Sequence, residues 1–484
     1  MKFKRKLLYI FVILMVCYKI FDIFYSKNTG NSFQYGIDAL VNSNFDVLNK
    51  NKNNKHEPFC SKRFAILTHA GTTNLKGEYT LGVLLRQKHL NCARILFPEH
   101  NNPFHKKEWE SINPSKLPSY CTHWFAKDKK DSYIDPEDKQ LCYIGDVNKL
   151  ENKLDAVVID LQGVGMRYYT YTASALRVMM TCWKNDVEVI VLDRPNPLGN
   201  YIGGPSLNIN NKSFLGTIEN QPLFHGMTLG EIATYIKMRN EDFNIHSMKG
   251  VLPECAMSVE ISKEELQKGK LTVVKMNNYD RTKVLYENLP TIKDKGIKLS
   301  PKIQIYDHIA EYAVSSLAYI ACSKEHTICF EGLLSFLVDF SRDEEGFAHF
   351  KEPGFKYFYS PRASAQDIID YLNQYPEALE GISLSIVQKK EREYVDCRVV
   401  DLKKTKPALF SLALIKFAQS VTKPGEWKTV KKEWQLPMLR AHLGDDELYE
   451  CLINDKTIDF DYFKDLWKAQ AEQWKLLTQK HYLY

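Results

Sequence analysis

Short apolar runs closed by polar residues alternate with stretches of helical spacing through the first two thirds of the chain. Arg63–Thr68 reads as a strand and opens into His69-Ala70-Gly71-Thr72-Thr73-Asn74, a polar loop with one glycine. Leu81–Leu90 carries leucine and valine at helical spacing, and Ala93–Phe97 is the next strand, closed by Pro98-Glu99-His100. Asn101–Gln140, broken by Pro103, Pro114, Pro118 and Pro136, reads as a long irregular insert. The alternation then resumes. Strand Leu154–Ile159 runs into Asp160-Leu161-Gln162-Gly163-Val164-Gly165-Met166-Arg167, and Tyr168–Asn185 is a long helix. Strand Val187–Leu192 runs into Asp193-Arg194-Pro195-Asn196-Pro197. Further on, helix Leu229–Arg239, strand Leu271–Lys275, helix Ile303–Cys322 and the strand-like Thr327–Phe330, which delivers Glu331, complete this part.

Strands alternating with helices predict a parallel, doubly wound sheet. Right-handed crossovers place all its strand ends on one edge, where such sheets bind ligands. His69, Glu99, His100, Asp160, Gln162, Arg167, Asp193, Arg194 and Asn196 are therefore expected to converge. Glu99 with His100 is an acid/base candidate at that edge.

Several of these residues have a purely structural reading. Gly163-x-Gly165 follows a strand, but the third glycine of a dinucleotide fingerprint is missing and no P-loop lysine follows. The run from Asp193 to Pro197 is either a rigid turn or a site. Arg167 either pairs with Asp160 or Asp193, or holds a substrate carboxylate as a planar fork. Thr228 with Glu231 three residues on predicts a capping box, which favours a structural Glu231. His225, just upstream, is a candidate for the cleft.

After about Glu345 the composition shifts. Phe347–Pro361 is aromatic and short-stranded, Ser364–Gln374 and Pro407–Thr422 read as helices, and Gly381–Val387 as a strand between them. Asp445–Asn454 and Asp461–Leu477 are helical. This predicts a smaller α+β unit without a catalytic cluster.

Charge excludes one class of partner. The net charge of +6 comes from 65 basic and 59 acidic residues, a balance without the basic stripe that nucleic acid requires. The eleven cysteines include no Cys-x-x-Cys, and there is no His-Glu-x-x-His, so neither a structural metal nor a cofactor is expected. The start is distinctive. Lys2-Phe3-Lys4-Arg5-Lys6 precedes the apolar run Leu7–Tyr18, with no small-x-small cleavage site. That run is shorter than the roughly 20 residues that span a bilayer. With Lys19 snorkelling and Phe21, Phe24 and Tyr25 at an interface, Leu7–Tyr25 reads as a signal anchor in preference to a cleaved signal peptide. Export and membrane tethering on the periplasmic or extracellular face are the expectations. Residues 26–58 then form an Asn- and Lys-rich tether, with Gly36–Leu48 docking on the domain.

The strand-end motifs resemble the exo-β-N-acetylmuramidase family, peptidoglycan-recycling glycosidases with a Rossmann-like N-terminal domain and a smaller C-terminal one. The resemblance lies in Phe97-Pro98-Glu99-His100, Asp160-Leu161-Gln162-x-Val164-Gly165-x-Arg167-x-Tyr169-Thr170-Tyr171 and Asp193-Arg194-Pro195-Asn196-Pro197. It continues through Gly204-Pro205, Ser213-Phe214-x-Gly216, His225-Gly226-Met227-Thr228-x-Gly230-Glu231, Phe330-Glu331-Gly332 and the ending Tyr482-Leu483-Tyr484. It implies that Glu99 is the acid/base of a glycosidase removing N-acetylmuramic acid from non-reducing ends. His100 and Asp160 would assist, while His69, Gln162, Arg167, Tyr169, Asp193, Arg194, Asn196, His225 and Glu331 would bind substrate. The chain departs from the family pattern at Asn101, where the family has glycine, at Gly163, where it has a second acidic residue, and after Gly332, where Leu333-Leu334-Ser335-Phe336-Leu337 replaces Ser-x-Gly-Arg-Gly-Thr. Its Pro-Ser-Pro-Asn motif is reduced to Leu299-Ser300-Pro301-Lys302.

The expected architecture is thus α/β: a doubly wound, mostly parallel Rossmann-like domain over residues 59–345, after an anchor (1–25) and tether (26–58), with an α+β domain at 346–484. The expected activity is glycoside hydrolysis of peptidoglycan-derived glycans. The alternative is a catalytically weakened cell-wall glycan-binding protein on the same scaffold.

Overall fold

A computed structural model describes residues 33–51, 53, 57–69, 71–98, 111–113, 115, 117, 119–121, 154–245, 259–284, 329–330, 341–342, 348–349, 357–389, 392–428 and 435–484. Glu99, His100, Glu331, the leader 1–25 and the expected helix 303–322 lie outside these residues. Among the described residues no helix is long and apolar enough to cross a membrane.

The sheet comprises β1 (Arg63–Leu67), β2 (Asn91–Phe97), β3 (Ser119–Cys121), β4 (Ala156–Ile159), β5 (Glu188–Leu192) and, after four short strands named below, β10 (Leu271–Val274). Its spatial order is β10-β5-β4-β1-β2-β3, with every neighbouring pair parallel. The chain therefore winds outward from β1 in one direction, returns, and winds outward in the other. The topological switch point lies between the carboxyl ends of β1 and β4. β3 was not expected from the sequence. It sits within the stretch read as irregular, where three residues behind Pro118 are too short to show a period.

Why the strands read as unbroken apolar runs is visible in the two cores. Phe64, Ile66, Ile95, Phe97, Ala156, Val158, Ile190 and Leu192 face one side. Ala65, Leu67, Leu96, Val157, Ile159, Val189 and Val191 face the other. Side chains alternate along a strand, and both faces are covered, so the buried positions are apolar on both sides. The first face is closed by Ile37 and Leu40 of α1 (Gly36–Asn42) and by Leu81 and Leu84 of α2 (Thr80–Leu85). The docking segment of the tether is therefore a true part of the fold. The second face is closed by α3 (Tyr171–Lys184), buried continuously from Ala173 to Trp183, and by Ile232 and Ile236 of α4 (Leu229–Lys237). Burying each such side chain contributes about 1.5–3 kcal/mol.

A hairpin of β6 (Ile202–Ser206) and β7 (Pro222–His225) lies over this second face; β8 (Phe243–Ile245) pairs with β9 (Val259–Ile261), followed by α5 (Lys263–Lys268). A second sheet holds β11 (Cys329–Phe330), β12 (Tyr357–Tyr359), β13 (Ile382–Lys389) and β14 (Arg392–Val399) in the antiparallel order β11-β12-β14-β13. Cys329–Phe330, expected to close the first domain, thus pairs with the second. Helices α6 (Ala365–Leu372), α7 (Pro407–Val421), α8 (Gln435–Leu443), α9 (Asp446–Ile453) and α10 (Phe460–Thr478) complete this unit. Asp459 caps α10 by accepting from the Tyr462 amide, and Phe460, Phe463, Trp467 and Trp474 form its buried stripe. Those rings belong to the same core as the second face of the parallel sheet, so the two units share one apolar interior.

Both ends of the described chain reach the edge beyond β5. The Gly36 amide donates to the Asp193 carbonyl at 2.9 Å. Tyr484 donates its hydroxyl to Asp193 Oδ2 at 2.9 Å and accepts from the Met276 amide. Between them the rings of Tyr35, Phe33, Tyr279 and Tyr484 form a ladder of edge contacts, with successive centroids 5.0, 6.3 and 5.0 Å apart.

Candidate active site

At the switch point, β1 delivers His69 and β4 delivers Asp160 and Gln162. The Gln162 amide lies 3.2 Å from His69 Nε2, and the Gly71 amide 3.1 Å from Nδ1. A neutral imidazole has one acceptor nitrogen, so the two donors compete for it. Burial, and secondarily the charge of Arg194, holds His69 down at about 3. The Gln162 side chain ties the turn after β4 to the turn after β5 by donating to the carbonyls of Gly163 and Pro195, both at 2.9 Å.

The central contact is a buried ion pair. Asp160 is fully buried and Arg194 is 4% exposed. Arg194 Nε donates to Asp160 Oδ1, and Nη2 donates to Oδ2 at 2.9 Å, in the planar fork that carboxylates fit. Nη2 also donates to the Thr73 carbonyl at 3.0 Å and to Thr80 Oγ1 at 3.2 Å, while the Tyr35 ring lies 4.8 Å below the guanidinium carbon. Burial disfavours this cation, but the Asp160 carboxylate more than offsets it and the pKa is raised. Nη1 has no partner among the described residues, and Arg194 lines a cleft.

Asp193 is consumed by structure. Oδ2 accepts from Thr228 Oγ1 at 2.7 Å and from Tyr484; Oδ1 accepts from the amides of Gly230 at 2.8 Å and Arg194 at 3.0 Å. Its position at the start of α4 suits the helix dipole. Burial still pushes its pKa up. Glu231 forms the expected capping box with Thr228 and adds Arg281 Nη1 at 3.1 Å and the Leu483 amide at 2.9 Å. Asn196 stitches its own turn, accepting from the Leu198 amide and donating to the Met227 carbonyl. Gly165, at φ +79°, lies against it: a Cβ there would come within 2.3 Å of Asn196 Oδ1.

The cleft runs between Gly163, Gly165, Tyr169 and Tyr171 on one side and Arg194, Asn196 and His225 on the other, with an inner volume of about 30 Å³. Tyr171 packs its ring 4.6 Å from Tyr169 and 4.8 Å from His69. His225 Nδ1 accepts from the Met227 amide at 3.2 Å, its carbonyl accepts from Trp474 Nε1 at 3.1 Å, and burial lowers its pKa to about 4.

Both histidines thus fold as neutral rings that protonate near pH 6.5 once unfolded. The unfolded chain binds more protons between the two values, so their contribution is complete above about pH 6.5 and is lost as pH falls toward 4 and 3. Each contributes a slope of up to about 1.4 kcal/mol per pH unit. Burial raises Asp193 and Glu231, which works in the opposite direction. Urea midpoints of His69→Gln and His225→Gln should therefore fall less steeply than wild type between pH 6.5 and 4; parallel curves would show that neither ring is held neutral.

Arg167 stands apart. It pairs with neither Asp160 nor Asp193 and does not line the cleft. Its Nη2 donates to the carbonyls of Leu443 at 2.9 Å and His442 at 3.3 Å, at the carboxyl end of α8, where the helix dipole favours a cation. The guanidinium is buried, and desolvation lowers its pKa to about 10. Gly444, at φ +69°, makes this contact possible, since a Cβ would lie 2.2 Å from Nη1. Gly444→Ala is expected to cost at least about 1–3 kcal/mol from the left-handed backbone alone. Thermal unfolding measures it, and a melting curve indistinguishable from wild type would remove Arg167 from this role.

Of the residues expected from the sequence, His69, Asp160, Gln162, Tyr169, Arg194, Asn196 and His225 gather around the switch point and cleft. Asp193 lies behind them, and Arg167 joins the two units. The sequence reading missed Tyr171, Thr73, Thr80, Tyr35 and Tyr484. Tyr171 was within reach, because Tyr169-Thr170-Tyr171 opens a helix at the strand end.

Residues 64–305, half of the chain, match the family described as exo-beta-N-acetylmuramidase NamZ, N-terminal. The chain is 30% identical over 190 residues to the peptidoglycan beta-N-acetylmuramidase NamZ of Bacillus subtilis (strain 168), an alignment covering 38% of this chain and 41% of that protein. Two crystal structures of DUF1343 family proteins from Bacteroides fragilis NCTC 9343 share the fold. One has a TM-score of 0.66 at 19% identity and the other 0.54 at 18%; each alignment covers 94% of this chain and 99% of the other. With the parallel sheet, its switch point and the strand-end motifs from Phe97 to Glu231 in the matched region, the chain belongs to the exo-β-N-acetylmuramidase NamZ family.

Proposed function

We propose that this chain is an exo-acting glycoside hydrolase that releases N-acetylmuramic acid, or a related amino sugar, from the non-reducing end of peptidoglycan fragments. The observation that carries the reading is the cleft at the carboxyl edge of a family-matched sheet, to which Arg194, Asn196, His225 and two tyrosines contribute. Glu99 follows Pro98 directly beyond β2, whose carboxyl end belongs to that edge, and is assigned the acid/base role. A glycosidase needs such an acid to protonate the leaving oxygen as oxocarbenium character develops. Arg194 supports recognition of the lactyl carboxylate: Asp160, Thr73 and Thr80 hold two of its nitrogens, and Nη1 remains for a ligand. This placement favours Arg194 over Arg167 for the anion contact.

Asp160, Asp193 and Glu231 are each engaged by neighbouring donors, which makes them poor nucleophiles. Glu331, the remaining candidate for a second carboxylate, lies outside the described residues. One observation favours the alternative of a weakened glycan-binding protein. Gly163 lines the cleft where the family pattern has an acidic residue, and nothing lies within 4 Å of the position its Cβ would take. The carboxylate is missing although there is room for it.

Incubating the full chain with muropeptides ending in N-acetylmuramic acid, and with a chromogenic β-N-acetylmuramide, decides between the two. Release of the free sugar that stops in Glu99→Gln supports the hydrolase. Binding without release supports the alternative, and neither binding nor release overturns both.

A further inference from the structure

His225 is the group in the cleft whose chemistry the acid/base reading leaves unused. Both its ring and the backbone that carries it are held. Nδ1 accepts the Met227 amide, so the ring proton of the neutral tautomer sits on Nε2. The carbonyl is held by Trp474 from α10, and Gly226 behind it turns at φ +65° with its carbonyl bound by Arg281 Nη2 at 2.8 Å. Nε2 has no partner among the described residues, and the side chain lines the cleft. An N–H donor presented to the cleft by a ring held at its other nitrogen selects for an acceptor in its ligand.

The surroundings restrict what that acceptor can be. The residues that line the cleft together with His225 include Leu161, Val164, Met166, Met227, Leu229 and Ile232, which give it an apolar wall. A carboxylate is better served by Arg194, which is cationic. A lone hydroxyl has no use for an apolar wall. A carbonyl joined to a methyl satisfies both the donor and the wall.

Building on the glycosidase reading, we infer that His225 is the specificity-determining residue for the 2-acetamido group, its Nε2–H donating to the acetyl carbonyl while the methyl enters the Met227/Ile232 side of the cleft. Burial keeps the ring neutral through the physiological range, so it acts as a fixed donor and not as a second acid.

Calorimetric titration of the full chain with N-acetylmuramic acid and with 3-O-lactyl-glucose, the 2-hydroxy counterpart that keeps the same lactyl carboxylate, tests this. Wild type should favour the acetamido sugar by roughly tenfold or more, the ~1.4 kcal/mol scale of one hydrogen bond to a buried donor. His225→Phe should lose that preference while still binding the 2-hydroxy sugar. His225→Gln, which restores an N–H donor, should recover part of it. In ¹⁵N-resolved spectra, the His225 Nε2 resonance should move with the acetamido sugar and stay in place with the other. An unchanged preference in His225→Phe, or a wild type that binds both sugars equally, overturns the assignment and leaves the glycosidase reading standing. A folded wild type that binds neither sugar removes the substrate reading and this inference together.

Discussion

Asp160→Ala should destabilise the folded chain by about 3–5 kcal/mol, the cost of stripping one partner from a buried ion pair. The expectation rests on geometry. Arg194 is 4% exposed, Asp160 supplies both oxygens of its fork, and the remaining contacts are a carbonyl and a hydroxyl that carry no charge. Removing the carboxylate leaves a guanidinium that water cannot reach well enough to solvate. The double variant Asp160→Ala, Arg194→Met should recover much of the loss, because an absent pair costs far less than a broken one. Urea unfolding at neutral pH reads both. A single variant within about 1 kcal/mol of wild type would mean that solvent or another anion satisfies Arg194, and the cleft would then be more open than the contacts indicate.

Glu99→Gln should lower kcat by about 10²–10⁴-fold, the usual range for losing a general acid. The amide preserves size and most hydrogen bonding but has no proton to give to the leaving oxygen, so KM and the melting temperature should change little. The split between the two constants is the informative part: an interaction made only in the transition state lowers kcat and kcat/KM together. A variant that raises KM at constant kcat would make Glu99 a binding residue and send the search for the acid to Glu331.

Much of this architecture was legible in the sequence because the sheet is buried on both faces. Strands such as Ala156–Ile159 and Glu188–Leu192 have no polar side to blur them, and the first polar residue after each marks the carboxyl edge. The Thr228–Glu231 capping box was legible for a similar reason, since it is a local pattern with a local cause. What escaped was set by distant partners. Ile202-Gly203-Gly204-Pro205-Ser206 has the composition of a loop, yet it pairs as a strand with Pro222–His225 and supports α10. Arg392–Val399 was hidden by its charged residues, although Val395 and Cys397 are buried. Arg167 is the sharpest case. The spacing left open whether it met a carboxylate or a substrate, and the structure turns it toward carbonyls 275 and 276 residues away. Among the candidates for the cleft, the sequence could nominate residues at strand ends, but it could not separate Arg194, with one nitrogen to spare, from Asp193, whose oxygens are all engaged.

The meeting of Tyr484 with Asp193 has a consequence for how the molecule is made. The two residues are 291 positions apart, and contacts of such separation form late because the loop they close is long. Until Tyr482–Tyr484 arrive, Asp193 lacks one of its four donors and Glu231 lacks the Leu483 amide, so the turn carrying Arg194 is tied down only in part. A nascent chain emerging from its amino end can therefore assemble the parallel sheet long before its cleft is set. Tyr482–Tyr484 supply the remaining donors, and a chain cut by proteolysis near residue 480 would lose them from Asp193 and Glu231 and loosen the turn that carries Arg194.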